Sequence, residues 1–486
     1  MNKTTRIVSW LWICALCGCT SVSEIRTRHD SGGAIPLIDA DHPSNGCDSK
    51  GLTDPTRAYS IEDYKDFWAG YVEFDDVGWP YASKGQPSQM EVLQTRLKRE
   101  LNDPAMAETD FLIVAFVHGW HHNAHDNDCN VHEFRAMLKV ANDRYAAAFG
   151  HPLKHRRRIV GVYVGWRGES IDLAGLNVTT VVDRRNAAER VAKGNVRELF
   201  ALIRKLQIGE SQKEKGARPD RMRTVVIGHS FGGLIAFHGL SPAVLNELTL
   251  TKPGSGDEGC KPTVSRASSI LAKRSDPGSG APELATERKN PPVFPDLLVL
   301  INPAFEATRF EALHDLTRPE DGCSYREDVP KVVVVTADND WATGPVFTAG
   351  RRVSTALEAY PPEDDSGTAA KEHDANIHAI GFTQRYVTHR LCLRPNDGAS
   401  GERHAAAALT PPEKPDWKLD AFAPVWVLRA PPEIVDGHNG FLFAKPDLSQ
   451  TKQPPYLLNW LINLHTFGPA PGSLAMTADN GCGPQP

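Results

Sequence analysis

The stretch VVIGHSFGG, Val225 to Gly233, decides the fold. Three apolar residues lead into Gly-His-Ser-Phe-Gly-Gly, and a second apolar run, LIAFHGL, follows at once. The pattern predicts a strand that turns directly into a helix beginning near Phe231. The residue at such a corner takes a strained backbone conformation, and neighbours with side chains would clash around it. Gly228 and Gly232 stand two positions to either side of Ser230. The corner lifts the Ser230 hydroxyl clear of the sheet. The new helix points its N-terminal amides and the positive end of its dipole at the same spot.

Outward from this corner, near-continuous apolar runs mark strands buried on both faces of a sheet. They are FLIVAFVHG (Phe111 to Gly119), IVGVYVGW (Ile159 to Trp166), LLVLINPA (Leu297 to Ala304), KVVVVTA (Lys331 to Ala337) and PVWVLRA (Pro424 to Ala430). Helical periodicity lies between many of them. Ser88 to Leu101, Ala188 to Leu206 and Pro455 to Phe467 are examples, the second read as one continuous helix. Alternating buried strands and amphipathic helices predict a doubly wound, mostly parallel sheet of the α/β class. Irregular segments at about 251–292 and 360–418 read as lid-like insertions.

A serine hydroxyl needs a base to take its proton, and the base needs a third group to orient it. In an open α/β sheet the reacting groups gather beyond the carboxyl ends of the strands. KVVVVTADNDWATG places Asp338 and Asp340 there, and Asp340 lies one step further into the loop, so it is the chosen carboxylate with Asp338 in reserve. His438 stands in DGHNG after the last strong strand and is the chosen base. Its neighbour Asp436 is read as shaping the turn. His378 and His389 precede that strand and fit the topology less well. Preformed donors for an oxyanion are assigned to the amides of Phe231 and Trp120, the latter in VHGWHHNAHDND. A rival reading of this loop is a metal site built from His118, His121, His122 and His125 with Asp126 and Asp128. His121 and His125 have the spacing to share a helix face. The position directly after a buried strand favours the oxyanion loop, and no metal is expected.

VHGW, GHSFGG, DNDWAT and DGHNG occur in an order that resembles the α/β-hydrolase superfamily of serine esterases and lipases. The resemblance runs from about Phe111 to Phe467. It implies a nucleophile elbow at Gly228, Ser230 and Gly232, a Ser230–His438–Asp340 triad, and ester hydrolysis without metal or organic cofactor. The long segments before Leu297 and between Asp340 and His438 depart from the family pattern and leave the substrate open.

The chain begins MNKTTRIVSWLWICALCGCTS. Lys3 and Arg6 precede a short apolar run that ends in Leu16-Cys17-Gly18-Cys19. This resembles the lipobox of bacterial lipoproteins. It implies a signal peptide over residues 1–18, a lipidated Cys19, and a place in the cell envelope, by the same resemblance on the outer membrane. Residues 19–58 read as a polar tether, 59–470 as the hydrolase domain with its insertions, and 471–486 as a tail. Of nine cysteines, six remain beyond the signal and the acylated residue: Cys47, Cys129, Cys260, Cys323, Cys392 and Cys482. Their even number in an exported chain predicts disulfides of undetermined connectivity. The net charge of −6, spread along the chain, speaks against a nucleic-acid partner. The expected partners are an ester or lipid substrate and the membrane. Oligomeric state is not legible. An acyltransferase using the same triad and a non-catalytic envelope scaffold remain as alternatives.

Overall fold

The computed structural model describes residues 24–37, 47, 54–82, 85–147, 155–168, 177–213, 218, 221–250, 294–316, 330–360, 367–395, 403–409, 424–441 and 455–467. The strands are β1 (Ile61–Asp63), β2 (Phe67–Phe74), β3 (Asp110–Val117), β4 (Arg157–Trp166), β5 (Met222–His229), β6 (Leu297–Ile301), β7 (Val332–Ala337), β8 (His389–Pro395), β9 (Arg403–Leu409) and β10 (Val425–Ala430). Among the described residues they form one sheet in the order β1-β2-β4-β3-β5-β6-β7-β10-β8-β9. The eight strands from β2 to β8 are mutually parallel, and β1 and β9 add antiparallel edges.

The α-helices are α1 (Gln89–Leu101), α2 (Cys129–Ala147), α3 (Asn177–Lys193), α4 (Val196–Ser211), α5 (Phe231–Leu250), α6 (Glu311–Leu316), α7 (Phe347–Ser354), α8 (Thr368–Ile377) and α9 (Tyr456–Phe467). They cover both faces of the sheet. Alternate residues of β3 divide between two cores, as a period of two requires. Phe111, Ile113, Ala115 and Val117 pack with Leu93, Val191, Leu199 and Leu234. Leu112, Val114 and Phe116 face the other way, with Phe134, Leu138, Leu457 and Trp460. The chain is thus an α/β protein with a mostly parallel, doubly covered sheet. Among the described residues no helix is long and apolar enough to cross a membrane.

The strand order reverses at β3 and β5. From β3 the chain passes through α2 to β4 on one side, and from β5 through α5 to β6 on the other. The loops beyond such a pair part from each other and leave a crevice at the carboxyl ends. Both the corner at Ser230 and the loop after β3 open there.

Several segments differ from the sequence reading. The helix expected over Ala188 to Leu206 is two, α3 and α4, broken at Gly194. A Cβ at Gly194 would fall 2.8 Å from the carbonyl oxygen of Gly78, so the break lets the turn after β2 close onto the helix end. Part of the expected tether is built into the domain. Arg26 is buried, its amide and that of Ile25 donate to the Glu73 carboxylate, and its guanidinium donates to Glu62 at 2.7 Å. Much of the expected insertion at 360–418 belongs to the sheet, as β8, β9 and the helix α8. Segment 251–292, the signal region with Cys19, and tail 471–486 lie outside the described residues. Cys47 and Cys129 are joined by a disulfide, and Cys392 is disulfide-bonded as well. Cys260, Cys323 and Cys482 lie outside the described residues.

Candidate active site

Ser230 sits between the last residue of β5 and the first of α5, at φ +56°. That left-handed backbone is uncommon for a residue with a side chain and marks a corner held by its surroundings. The flanking glycines make the corner sterically feasible. A Cβ on Gly232 would lie 2.1 Å from the carbonyl oxygen of Val117, and one on Gly228 would lie 2.6 Å from that of Gly232. The amide of Ser230 donates to Ile301 on β6, while its carbonyl accepts from Gly233, Leu234 and Ala304.

Beside the serine stands His438, carried by the loop after β10. Its Nε2 is 2.9 Å from Ser230 Oγ, and its Nδ1 lies 3.0 and 3.1 Å from the two carboxylate oxygens of Asp340. Asp340 follows β7 and is buried. It also accepts from the amides of Ala342 and Thr343 and from the Thr343 hydroxyl. Burial pushes this carboxyl up, but the bonds and charge of His438 and the bonds of Thr343 outweigh it, so the pKa falls below the ordinary value. The carboxylate is ionised at neutral pH. Residues from three separate strand ends therefore form one hydrogen-bonded chain, Asp340–His438–Ser230.

The alternatives weighed from sequence lie elsewhere in the hydrogen-bond network. Asp338 pairs with Arg429 at 2.8 Å and Arg390 at 2.6 Å. Asp436 closes the His438 turn through two backbone bonds with Gly440 and accepts from the Asn339 side chain. His378 ends α8 with Nδ1 on Asp374. His389 is buried at the start of β8, bonded to Thr388, and burial holds its pKa down at about 3.

The loop after β3 reaches the serine. A Cβ on Gly119 would fall 3.0 Å from Ser230 Cβ, which sets this loop against the corner. Among the described residues the backbone amides of Trp120 and Phe231 have no hydrogen-bond partner. The loop is tied down along its length. Trp166 donates its amide to His118 Nε2 and its indole N–H to the His118 carbonyl. Tyr163 donates to the Asn123 carbonyl, Arg26 to that of Ala124 and Arg135 to that of Asp126. Burial lowers the His118 pKa to about 4, which keeps the ring neutral and its Nε2 an acceptor.

The metal reading of this loop does not fit the geometry. Residues 119–128 form turns, α2 begins only at Cys129, and His121 and His125 share no helix face. His122 is paired with Asp128 at 3.1 Å.

Two residues at the site were not singled out from the sequence. Asn302, at φ +44° just beyond β6, donates from Nδ2 to the carbonyls of Gly437 and His438 and accepts the Ala337 amide on Oδ1. His229 donates from Nε2 to the same His438 carbonyl at 2.9 Å. Burial and the nearby His438 depress the His229 pKa well below the usual histidine range, so the ring stays neutral. The available signal was position: both residues end a strand next to the serine.

No family model matches the chain, and no curated protein matches it. Among solved structures, the chain is similar to phospholipase PlaB from Legionella pneumophila in complex with thio-NAD. The identity is 14%, the TM-score 0.21, and the match covers 62% of this chain and 49% of that one. The chain thus spans about half the length of that protein. A likeness at this level defines neither fold nor chemistry.

Proposed function

We propose that the protein is a serine hydrolase of the α/β-hydrolase type that cleaves carboxylic esters through an acyl-enzyme. The observation that carries this reading is the continuous chain from Asp340 through His438 to Ser230 Oγ, with Ser230 at a left-handed strand-to-helix corner. In this reading His438 Nε2 takes the hydroxyl proton as Oγ attacks the ester carbonyl. Asp340 holds the ring with Nδ1–H toward it and stabilises the imidazolium that forms. The amides of Phe231 and Trp120 receive the oxyanion, and the N-terminus of α5 adds its dipole. His438 then returns the proton to the leaving alcohol. Water, activated by the same ring, releases the acid and restores the serine.

The lipobox-like sequence before Cys19 supports placing this enzyme on a bacterial membrane, where acyl lipids are the available esters. The test is turnover of p-nitrophenyl butyrate by the purified protein. Hydrolysis that disappears in a folded Ser230→Ala variant supports the reading. Equal turnover by that variant overturns it.

A further inference from the structure

A basin of about 660 Å³ opens between α3, the turn after β6, α7 and α8, and it contains none of the residues of the Ser230 cluster. Its walls are charged. Arg185, Arg190, Lys193, Arg309 and Arg351 line it against three carboxylates, Glu189, Glu306 and Glu358, so five positive charges face three negative ones.

The carboxylates do not consume all of this charge. Glu306 is buried and takes three guanidiniums at once: Arg185, Arg309 at 2.6 Å and Arg351 at 2.9 Å. Burial pushes its carboxyl up, and the three arginines more than reverse that, so it remains ionised. Glu189 holds Arg309 at 2.6 Å and Lys193 at only 3.5 Å. Arg190 donates Nε to the carbonyl of Asp76, and among the described residues its two terminal nitrogens have no partner. His238 on α5 accepts from Arg309 at 2.9 Å. Burial and then the Arg309 charge lower its pKa to about 4, so it adds no positive charge of its own.

We propose that this basin binds a phosphate group, either free or on a lipid headgroup. A surplus of two positive charges matches a phosphate dianion. Guanidinium forks and an ammonium supply the donors that phosphate oxygens accept. Glu306 holds three of the arginines in fixed positions, so little ordering is left for the ligand to impose. Arg190 and Lys193 stand at the exposed side as the groups still able to turn toward it.

The test is calorimetric titration of the purified full chain with inorganic phosphate, with acetate at matched ionic strength as the control. A parallel arm uses vesicles of phosphatidylcholine with and without phosphatidic acid. Saturable binding of phosphate but not acetate is the expected result. Binding to the phosphatidic acid vesicles alone assigns the phosphate to a headgroup. The double variant Arg190→Ala, Lys193→Ala is expected to weaken binding by about tenfold or more, with its melting temperature unchanged. Lys193→Glu provides a second, charge-reversed variant on the exposed surface. No saturable binding in either arm, equal binding of acetate, or unaltered affinity in both variants overturns the proposal. The readout is binding, so the result is independent of the ester chemistry.

Discussion

Asn302 Nδ2 lies 2.9 Å from the carbonyl oxygen of His438, and the same side chain accepts the amide of Ala337 at the end of β7. One amide group therefore spans the strand end that leads to Asp340 and the loop that carries His438. Removing its donors takes two bonds from the histidine loop, leaving that of His229 Nε2, without touching the reacting atoms. Asn302→Ala and Asn302→Asp are both expected to lower kcat for a short ester, on the order of 10²-fold, with KM little changed. Aspartate keeps the acceptor for Ala337 but cannot donate. Wild-type kcat in the Asp variant would assign the role to the Ala337 bond alone.

The two neighbouring aspartates separate the proposed orienting role from a structural one. Asp340→Asn is expected to cost on the order of 10⁴-fold in kcat, because the ring loses the partner that fixes its tautomer. Asp338→Asn removes the charge that pairs with Arg390 and Arg429 and leaves the His438 contact intact, so its kcat should stay close to wild type. Steady-state kinetics on the two variants side by side checks both expectations.

Glu133 on α2 gives a pH dependence of stability with a definite sign. Burial and then the Asp128 charge raise its pKa from 4.5 to about 8. The folded state keeps this proton while the unfolded state releases it near 4.5, so the folded state binds more protons between the two values. The stabilisation is complete below the lower value and is lost as pH rises toward about 8. Urea unfolding at pH 5 and pH 8 should show a smaller loss of stability for Glu133→Gln than for wild type. The same loss in both proteins would remove Glu133 as the cause.

Glu62 is buried and receives Arg26, Arg135, Tyr64 and Tyr71. Burial alone would favour its neutral form. The two guanidiniums reverse that and hold the carboxyl well below the ordinary range. Arg26→Met leaves a buried carboxylate short of one partner and the Ala124 carbonyl without its donor. The expected cost is about 3 kcal/mol of stability, measured by urea unfolding. An unchanged midpoint would mean that Arg135, Tyr64 and Tyr71 satisfy the carboxylate without Arg26.

Six of the eight parallel strands, β3 to β7 and β10, were legible because each is an apolar run with punctuation at its ends. The proximity of Ser230, Asp340 and His438 was legible because strand ends in such a sheet converge. What escaped depends on distant partners. β9, RHAAAAL, is alanine-rich and by propensity favours helix. Its strand form comes from antiparallel pairing with β8, which no local pattern encodes. Arg26 reads as a charge in a polar leader, and its burial depends on Glu62, which is 36 residues away. Asn302 reads as the end of a strand, and its partners lie 135 and 136 residues further on.

The central claim is that Ser230 is an activated nucleophile. The direct measurement is reaction of the purified protein with a fluorophosphonate probe, followed by mass analysis of the labelled peptide. The account predicts a single adduct on Ser230, none in Ser230→Ala, and strongly slowed labelling in His438→Ala. A folded wild-type protein that takes no label, or a label that persists in Ser230→Ala, would contradict it.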